Sequence, residues 1–245
     1  MPLSDLRVPP PTLGQVEREL RVLANPADAA FLQRFFKTGV GQYGEGDRFL
    51  GIRVPQLRSL ARRRRELAYE QVLDLLRSPW HEQRLFALLL LVEHHRRGSD
   101  AERESIYQAY LAHTAHINNW DLVDSSAEHI VGPHIDPKKL GVLVELARSE
   151  SLWERRIAML ATFHWIKKQE FTATLRIAKL LLNDSHDLIH KAVGWMLREV
   201  GKRDRGVEEA FLREHYRDMP RTMLRYAIER LPEARRQQYL LGRLS

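Results

Sequence analysis

Apolar residues recur along this chain three and four positions apart, which is the spacing of one face of a helix. The segment 81–95 is so apolar that it predicts a buried helix, and the segment 69–76 predicts a short amphipathic one. No alternation of apolar and polar residues is long enough to predict a strand, so the expected fold class is all-α. Further helices are predicted at 102–114, 118–131, 136–149, 152–168, 171–183, 186–202, 206–217 and 220–231, with a last one near the C-terminus.

A basic residue recurs at one position of this helical pattern. Its occurrences are Arg84, Arg156, Lys191 and Arg225, which lie 72, 35 and 34 residues apart, and Trp120 marks the midpoint of the first interval. A period near 35 residues is close to that of an α-solenoid whose two-helix units stack because one unit cannot bury its own apolar face. We therefore predict an α-solenoid superhelix of HEAT-like two-helix repeats.

Length and composition fit this architecture. The 245 residues are enough for one large domain, so a single HEAT-like repeat domain is expected over 1–245, with a loosely ordered tail at 1–11. The chain has no Cys, which excludes disulfides and thiolate zinc ligands. There is neither an apolar stretch long enough to cross a bilayer nor the pattern of a secretory signal. The expected location is therefore the cytoplasm, in association with the nucleoid.

The charge balance points to an anionic partner. Lys and Arg number 39 against 32 Asp and Glu, which gives a net charge of +7. The isoelectric point of about 9.8 lies in the range typical of proteins that bind nucleic acid. A role of the charge in solubility alone remains an equal alternative at this point.

The segment from Asn118 to Asp124 holds the first candidate for chemistry. Trp120 and Asp124 are four residues apart, so on a helix they share one face. Asp121 is explained by a place in the first helical turn, where an acid suits the helix dipole, and Asn118 or Asn119 could cap the helix. Capping does not explain Asp124. The alternative for Trp120 is a place in the core, which is the commoner fate of a tryptophan.

A second candidate is a row of cations around one aromatic residue. Lys191, Trp195, Arg198 and Lys202 follow one another at helical spacing and would form a single stripe. Such a stripe is expected of a surface that tracks phosphates and contacts a base or a sugar. The alternative is a solvated charged face with Trp195 folded into the core.

Two arginines lie one repeat earlier, in the segment Trp153-Glu-Arg155-Arg156. Arg156 occupies the repeat position that Lys191 occupies next, so stacked repeats would place both cations on one surface. The arginine run 62–65 could also contact phosphates, although such runs are usually only solvated. The glycine-rich segment 39–48 is interpreted as an ordered loop between helices, with close approach to a phosphate as the alternative. The eleven His residues lack a metal-binding spacing, so no metal and no organic cofactor are predicted.

Taken in order, the motifs resemble the bacterial DNA alkylation-repair glycosylases built from HEAT-like repeats, the AlkD family. The resemblance covers most of the chain, from about Leu13 to Leu240. It rests on the following segments: Phe36-Lys-Thr-Gly39, Gly41-Gln-Tyr-Gly-Glu-Gly46, Trp120-Asp-Leu-Val-Asp124, Trp153-Glu-Arg-Arg156-Ile-Ala, Val193-Gly-Trp195-Met-Leu-Arg-Glu199 and Leu224-Arg-Tyr-Ala-Ile-Glu-Arg-Leu-Pro232.

The resemblance implies a superhelix whose concave face binds duplex DNA, and excision of cationic bases of the 3-methyladenine and 7-methylguanine type without flipping them into a deep pocket. It implies that Trp120 and Trp195 flank the deoxyribose, that Asp124 is the catalytic carboxylate and that Arg156 holds the backbone near the lesion. Some relatives carry an aromatic residue where this chain has Asn119. Phosphate contacts are expected from Lys191, Arg198, Lys202, Arg155 and Arg225.

The predicted function is therefore that of a monofunctional DNA-alkylbase N-glycosylase. Its expected partner is double-stranded DNA carrying alkylated bases, it is expected to act as a monomer, and no membrane partner is expected. Two alternatives remain open: a helical-repeat scaffold for protein partners, and a DNA-binding repeat protein that senses lesions without excising them.

Overall fold

The computed structural model describes residues 9–244, which fold into α-helices joined by short turns. Short 3-10 helices lie at Thr114–His116, Gly132–His134 and Ile228–Arg230. Within the described residues there is no strand, so the all-α prediction is confirmed. The α-helices are α1 (Leu13–Leu23), α2 (Pro26–Phe35), α3 (Val54–Arg63), α4 (Tyr69–Leu76), α5 (His81–Arg97), α6 (Asp100–Ala112), α7 (Trp120–Asp124), α8 (Ala127–Ile130), α9 (Gly141–Ala147), α10 (Leu152–Ala161), α11 (Phe163–Ile166), α12 (Thr172–Leu180), α13 (Asp187–Gly201), α14 (Arg205–His215), α15 (Arg221–Ala227) and α16 (Glu233–Leu241).

The predicted loose tail at 1–11 lies for the most part outside the described residues, since the description begins at residue 9. Residues 9–11 have no regular structure. The first helix begins directly after them because Thr12 and Gln15 form a reciprocal capping box, in which each side chain accepts a hydrogen bond from the other residue's backbone N–H.

Two predicted helices are each divided into two by a hydroxyl side chain. The predicted helix 118–131 breaks between α7 and α8 at Ser126, whose hydroxyl lies 3.5 Å from the carbonyl of Val123 and also bonds to the phenol of Tyr110 at 2.9 Å. The predicted helix 152–168 breaks between α10 and α11 at Thr162, whose hydroxyl donates to the carbonyl of Met159 at 2.7 Å. Ser and Thr side chains offer such local hydrogen bonds in competition with the helical ladder.

The predicted helix 136–149 begins later than expected, at Gly141. Residues 136–139 form a turn instead, in which the Asp136 carboxylate accepts from the backbone N–H of Lys138 at 2.9 Å and the Asp136 carbonyl accepts from Lys139 at 2.8 Å. Asp favours turns because its side chain can bond to the backbone two residues on. Pro favours them because its ring fixes φ, and Pro137 lies at the second position of this turn.

The described residues form two compact units. The first contains residues 9–106 and 115–122. In it, α4 and α5 pack against each other as a helical hairpin, and α3 packs on α5. Helix α5 is buried along most of its length, as its apolar sequence predicts, and even its first four residues, His-Glu-Gln-Arg, are buried.

The second unit contains residues 107–114 and 123–244 and is built from stacked helix pairs. Helix α9 packs on α10, and α12 and α14 each pack on α13, while α10, α13 and α15 contact in series. This is the arrangement of two-helix repeats in an α-solenoid, as the 35-residue period predicts. The extent of the repeats as one domain over 1–245 stays a prediction.

Helices α13 and α15 approach each other closely at Gly194 of α13. A side chain there would meet the carbonyl of Met223 at 2.4 Å and the Cβ of Tyr226 at 2.5 Å. The room that Gly194 leaves therefore belongs to α15. Among the described residues, no helix is both long and apolar enough to cross a membrane.

Candidate active site and nucleic-acid interface

The segment that was singled out from the sequence forms the short helix α7, which begins at Trp120 and ends at Asp124. The side-chain oxygen of Asn119 accepts a hydrogen bond from the backbone N–H of Trp120 at 2.9 Å, so one of the two candidate capping residues contacts the helix start. Trp120 and Asp124 are both partly exposed, and neither is a core residue.

In the second unit, Asp124 forms a two-point ion pair with Arg156. Arg156 Nε donates to Asp124 Oδ1 at 2.8 Å and Nη2 donates to Oδ2 at 2.7 Å. A third donor of the same guanidinium, Nη1, bonds to the carbonyl of Leu188 at 2.6 Å, which ties the arginine to α13. A carboxylate that accepts at both oxygens is ionised, so this geometry holds Asp124 as an anion in one orientation.

The pair is protected from water on the arginine side and open on the acid side. The Arg156 side chain is only 5% exposed, whereas that of Asp124 is 17% exposed. Behind the pair, burial, with the charge of Asp124 adding to it, raises the pKa of the Tyr110 phenol, which therefore stays protonated. Asp124 thus presents an ionised carboxylate in a fixed orientation at the surface, a group that can stabilise a positive charge that develops in contact with it.

The predicted stripe on α13 exists. Lys191, Trp195 and Arg198 are partly exposed positions in a helix whose intervening residues are mostly buried, and the exposed Lys202 follows the helix end. Trp195 is therefore not folded into the core. Its indole Nε1 donates to Glu199 Oε1 at 3.2 Å, and its ring lies 6.0 Å from that of Phe163.

Every cation of the stripe has an acidic partner. Lys191 pairs with Asp187 at 2.7 Å and Lys202 pairs with Glu199 at 2.5 Å. Arg198 pairs with Glu229 of the neighbouring 3-10 helix. Burial acts to raise the pKa of Glu199, but hydrogen bonds from Lys202 and Arg203 outweigh it, so the pKa of this carboxyl is lowered and the acid is ionised. The stripe is therefore close to neutral before any ligand arrives.

The remaining predicted cations differ in accessibility. Arg225 is exposed on α15, which packs on α13. Arg155 is turned toward the protein, where its Nε bonds to Asp184 at 2.6 Å and its Nη1 bonds to two carbonyl oxygens. The repeat register placed Arg156 and Lys191 on one surface. The two lie on contacting helices, but Arg156 is nearly buried and Lys191 is well exposed.

In the first unit, Trp120 is part of an aromatic cluster. Its ring stacks on Phe36 at a centroid distance of 5.1 Å and meets the edge of Phe35 at 6.1 Å. Phe31 and Phe35 are exposed by 56% and 52%, which is unusual for large apolar side chains. A cavity of about 530 Å³ opens beside them, and its lining includes Trp120, Leu32, Ile52 and Asp121.

A buried ionic network holds the residues that precede and begin α7. His81 lies between two acids, with Nδ1 at 2.9 Å from Asp47 and Nε2 at 2.8 Å from Asp121. Arg84 bonds to Asp47 and, at 3.1 Å, to Asn118. Asn119 donates to Asp47 at 3.2 Å. Residues 118–121 are thus attached to α5 and to the loop before α3.

The network carries a charged histidine. Burial opposes the charge on His81, but the nearby carboxylates of Asp121 and Asp47 outweigh burial and raise the pKa of His81 to about 9. Burial also opposes the charge on Asp47 and acts to raise its pKa. Hydrogen bonds and positive charge from His81 and Arg84 outweigh burial, so the pKa of Asp47 is lowered overall. Two carboxylates, one imidazolium and one guanidinium therefore neutralise one another.

Sequence reasoning missed this network. It explained Asp121 by its place in the first turn alone, and its contact with the Leu122 backbone N–H at 2.9 Å supports that part. It did not predict the additional partner of Asp121, which is His81. One signal was present: the polar run His-Glu-Gln-Arg at 81–84 directly precedes the most apolar stretch of the chain. The glycine-rich segment 39–48 is an ordered loop that brings Asp47 into the network.

The fold and the site define a class of protein: an all-α repeat protein in which an arginine holds a surface carboxylate in a two-point ion pair, next to a helix that carries a row of surface cations. Residues 16–231 match the family described as DNA alkylation repair enzyme, and the chain belongs to that family. Family membership assigns it to the enzymatic repair of alkylated DNA, with DNA as the substrate. No curated protein matches the chain significantly.

Two solved structures are similar in fold. One is a predicted DNA alkylation repair enzyme from Enterococcus faecalis, with 19% identity, a TM-score of 0.66 and coverage of 86% of this chain and 97% of that one. The other is smu.31 from Streptococcus mutans UA159, with 16% identity, a TM-score of 0.52 and coverage of 88% and 95% respectively. At these identities the similarity is evidence for the fold.

Proposed function

We propose that the protein is a monofunctional DNA glycosylase that hydrolyses the N-glycosidic bond of cationic alkylated purines, of the 3-methyladenine and 7-methylguanine type, in duplex DNA. The observation that carries the proposal is the Asp124–Arg156 pair, because it fixes an ionised, partly exposed carboxylate. Family membership supports the substrate class at the level of alkylated DNA.

The chemistry requires little beyond such a carboxylate. Alkylation at N3 or N7 makes the purine a cation, so the base departs as a neutral molecule when the bond from C1′ to nitrogen breaks and its electron pair stays on the base. Positive charge then develops on the deoxyribose, where the Asp124 anion stabilises it. A water attacks C1′ and loses a proton toward Asp124 or solvent. No general acid is needed, because the leaving group is already charged.

Arg156 acts, in this proposal, as a positioning residue for Asp124. The guanidinium donates to both carboxylate oxygens, so it fixes the orientation of the carboxylate. The sequence resemblance assigned Arg156 to the DNA backbone. Its 5% exposure and its three intramolecular hydrogen bonds favour the positioning role.

The aromatic and basic residues complete the proposal. Trp120 and Trp195 provide indole faces for the deoxyribose, since an aromatic face attracts a developing cation by ~0.5–2 kcal/mol. The residues proposed to contact DNA phosphates are Lys191, Arg198, Lys202, Arg155 and Arg225. Of these, Arg155 is the least available, because its guanidinium already bonds to Asp184 and to two backbone carbonyls.

The deciding experiment is the release of methylated bases from methylated duplex DNA under single-turnover conditions. We expect the wild type to release them and Asp124→Asn to lose roughly two or more orders of magnitude in rate, because it removes the stabilising charge. DNA affinity should change little. Asp218→Asn removes an exposed acid of the same unit and is the matched control, expected to retain the wild-type rate.

The outcomes separate the alternatives. Retained excision in Asp124→Asn, with its thermal unfolding and DNA binding intact, would contradict the assignment of the carboxylate. Absence of release by the wild type, together with tight binding to methylated duplex, would instead indicate a lesion-binding protein without catalysis.

A further inference from the structure

Helix α3 presents an exposed face that carries positive charge alone. Its sequence from Val54 to Arg63 contains no acid. Arg58, Arg62 and Arg63 are exposed, while Leu57 and Leu60 lie on the opposite, buried face. The five arginines between positions 58 and 65 make this the densest concentration of positive charge in the sequence.

The neighbouring acids are already occupied by other arginines of the run. Arg64 forms a two-point pair with Glu19 of α1, and Arg65 pairs with Glu66. Hydrogen bonding from Arg64 lowers the pKa of Glu19, with a smaller contribution from the charge of Arg63. Within the described part of the chain, no carboxylate forms an ion pair with Arg58, Arg62 or Arg63. The dipole at the end of α3 could favour Arg62 and Arg63, but it does not account for Arg58 in the middle of the helix.

The availability of these side chains distinguishes α3 from the stripe on α13. A cation that already has an acidic partner must break that pair to bind a phosphate. An unpaired exposed arginine holds only mobile anions, which a phosphate displaces with a gain in entropy. Arginine also suits phosphate oxygens geometrically, because its planar guanidinium can donate two parallel hydrogen bonds.

We propose that the exposed face of α3, formed by Arg58, Arg62 and Arg63, is a second phosphate-binding surface for duplex DNA. It supplies affinity that is independent of sequence and of damage. The proposal rests on the proposed function, because it takes duplex DNA as the polyanion. It leaves the chemistry at Asp124 unchanged.

The test measures the affinity for an undamaged duplex across a range of salt concentrations. Each phosphate contact contributes about 0.9 to the slope of log K against log salt, so the triple variant Arg58→Gln, Arg62→Gln, Arg63→Gln should lower the magnitude of that slope by about 2 to 3. The single-turnover excision rate at saturating enzyme should equal that of the wild type. Circular dichroism and thermal unfolding check that α3 remains folded.

A matched control removes the same net charge from paired arginines of the same unit. Arg53, Arg77 and Arg96 are exposed and pair with Asp28, Asp74 and Glu93. Replacing these three by Gln should leave the slope near that of the wild type. A slope that falls equally in both triple variants would mean that net charge alone acts, and this would overturn the proposal.

An unchanged slope in the α3 variant would also overturn the proposal. The two proposals fail in different ways. Excision by the wild type with no change of slope defeats the α3 surface only. A reduced slope in the α3 variant with no excision by the wild type defeats the glycosylase assignment only.

Discussion

At the scale of single residues, the site depends on one arginine that fixes one acid. Asp124 alone, at the end of a five-residue helix, would have several side-chain orientations available. The guanidinium of Arg156 selects one, and the bond to the Leu188 carbonyl fixes the guanidinium in turn. The cost of ordering the carboxylate is therefore met during folding, before a substrate binds.

Replacing Arg156 by Lys tests this positioning role. The variant keeps the positive charge, but an ammonium group cannot bridge both carboxylate oxygens as the planar guanidinium does. We expect the single-turnover excision rate to fall by roughly ten- to a hundred-fold, with the affinity for undamaged duplex nearly unchanged. If Arg156 instead holds the DNA backbone, the loss should appear mainly in affinity, and a saturating excision rate close to that of the wild type would contradict the positioning role.

The sequence proposed candidate residues for the site but did not predict their partners. Asp124 is a candidate because capping does not explain it and it shares a helix face with Trp120, and Trp195 is one because cations surround it at helical spacing. The two-point ion pair between Arg156 and Asp124 joins residues that are 32 positions apart in the chain. It depends on how α10 packs, and the periodicity of the sequence does not specify that packing. The network around His81 was missed for the same reason, since its members come from three separate segments.

At the scale of helices, the second unit depends on the close approach of α13 and α15 at Gly194. Gly194→Ala would push a methyl group into the backbone of α15, where the nearest atom lies 2.4 Å from the added carbon. We expect a loss of about 1–3 kcal/mol in the free energy of unfolding, typical of overpacking, measured by urea denaturation.

The control for this prediction is Gly141→Ala at the start of α9, where an added methyl group meets nothing within 4 Å. That variant should be neutral or slightly stabilising, because Ala is the better helix former. Equal stability of both variants would mean that α15 moves away from α13 without cost, contrary to the tight packing inferred here.

Helices were predicted well where packing and periodicity agree. The predicted segment 69–76 matches α4, and the predicted 186–202 differs from α13 by one residue at each end. The breaks at Ser126 and Thr162 were not predicted. In each case a hydroxyl contacts the backbone carbonyl three residues earlier and interrupts the helix without changing the apolar pattern of the sequence. These breaks matter for the site, since the first of them ends α7 just after Asp124.

At the scale of the whole molecule, the net charge of +7 says less than the pairing of the charges. The sequence predicted a nucleic-acid partner from that charge and from the α13 stripe. The structure adds that the stripe is neutralised by Asp187, Glu199 and Glu229, whereas the exposed arginines of α3 are not. Asp187 and Glu199 lie at helical spacing from Lys191 and Lys202 in the sequence, but Glu229 lies 31 residues from Arg198, so periodicity does not predict that pair.

Two buried groups, one in each unit, make the stability of the protein depend on pH in the same direction. The nearby carboxylates raise the pKa of His81 from 6.5 to about 9, against the effect of burial. Burial, with the nearby charge of Glu209 adding to it and that of Arg205 opposing it, raises the pKa of Glu208 from 4.5 to about 8. Glu208 fits because Gly201 has no side chain, since a Cβ there would collide with the carboxyl group.

Both shifts mean that the folded protein binds more protons than the unfolded chain. The contribution of His81 is fully present below pH 6.5 and is lost as the pH rises to about 9. That of Glu208 is fully present below pH 4.5 and is lost as the pH rises to about 8. The free energy of unfolding should therefore fall between pH 5 and pH 9, although the isoelectric point is about 9.8.

Glu208→Gln isolates one half of this effect, because the amide resembles the protonated acid in shape and does not ionise. Since one pKa unit corresponds to about 1.4 kcal/mol, we expect the variant to be more stable than the wild type by at least about 1 kcal/mol at pH 9. At pH 5, where the folded wild type carries a protonated Glu208, the two should unfold at nearly the same urea concentration. The same substitution at the exposed Glu145 should leave the pH dependence unchanged. A Glu208→Gln curve that runs parallel to the wild type from pH 5 to pH 9 would mean that Glu208 is ionised in the folded protein, and the fall in stability would then have to come from the first unit alone.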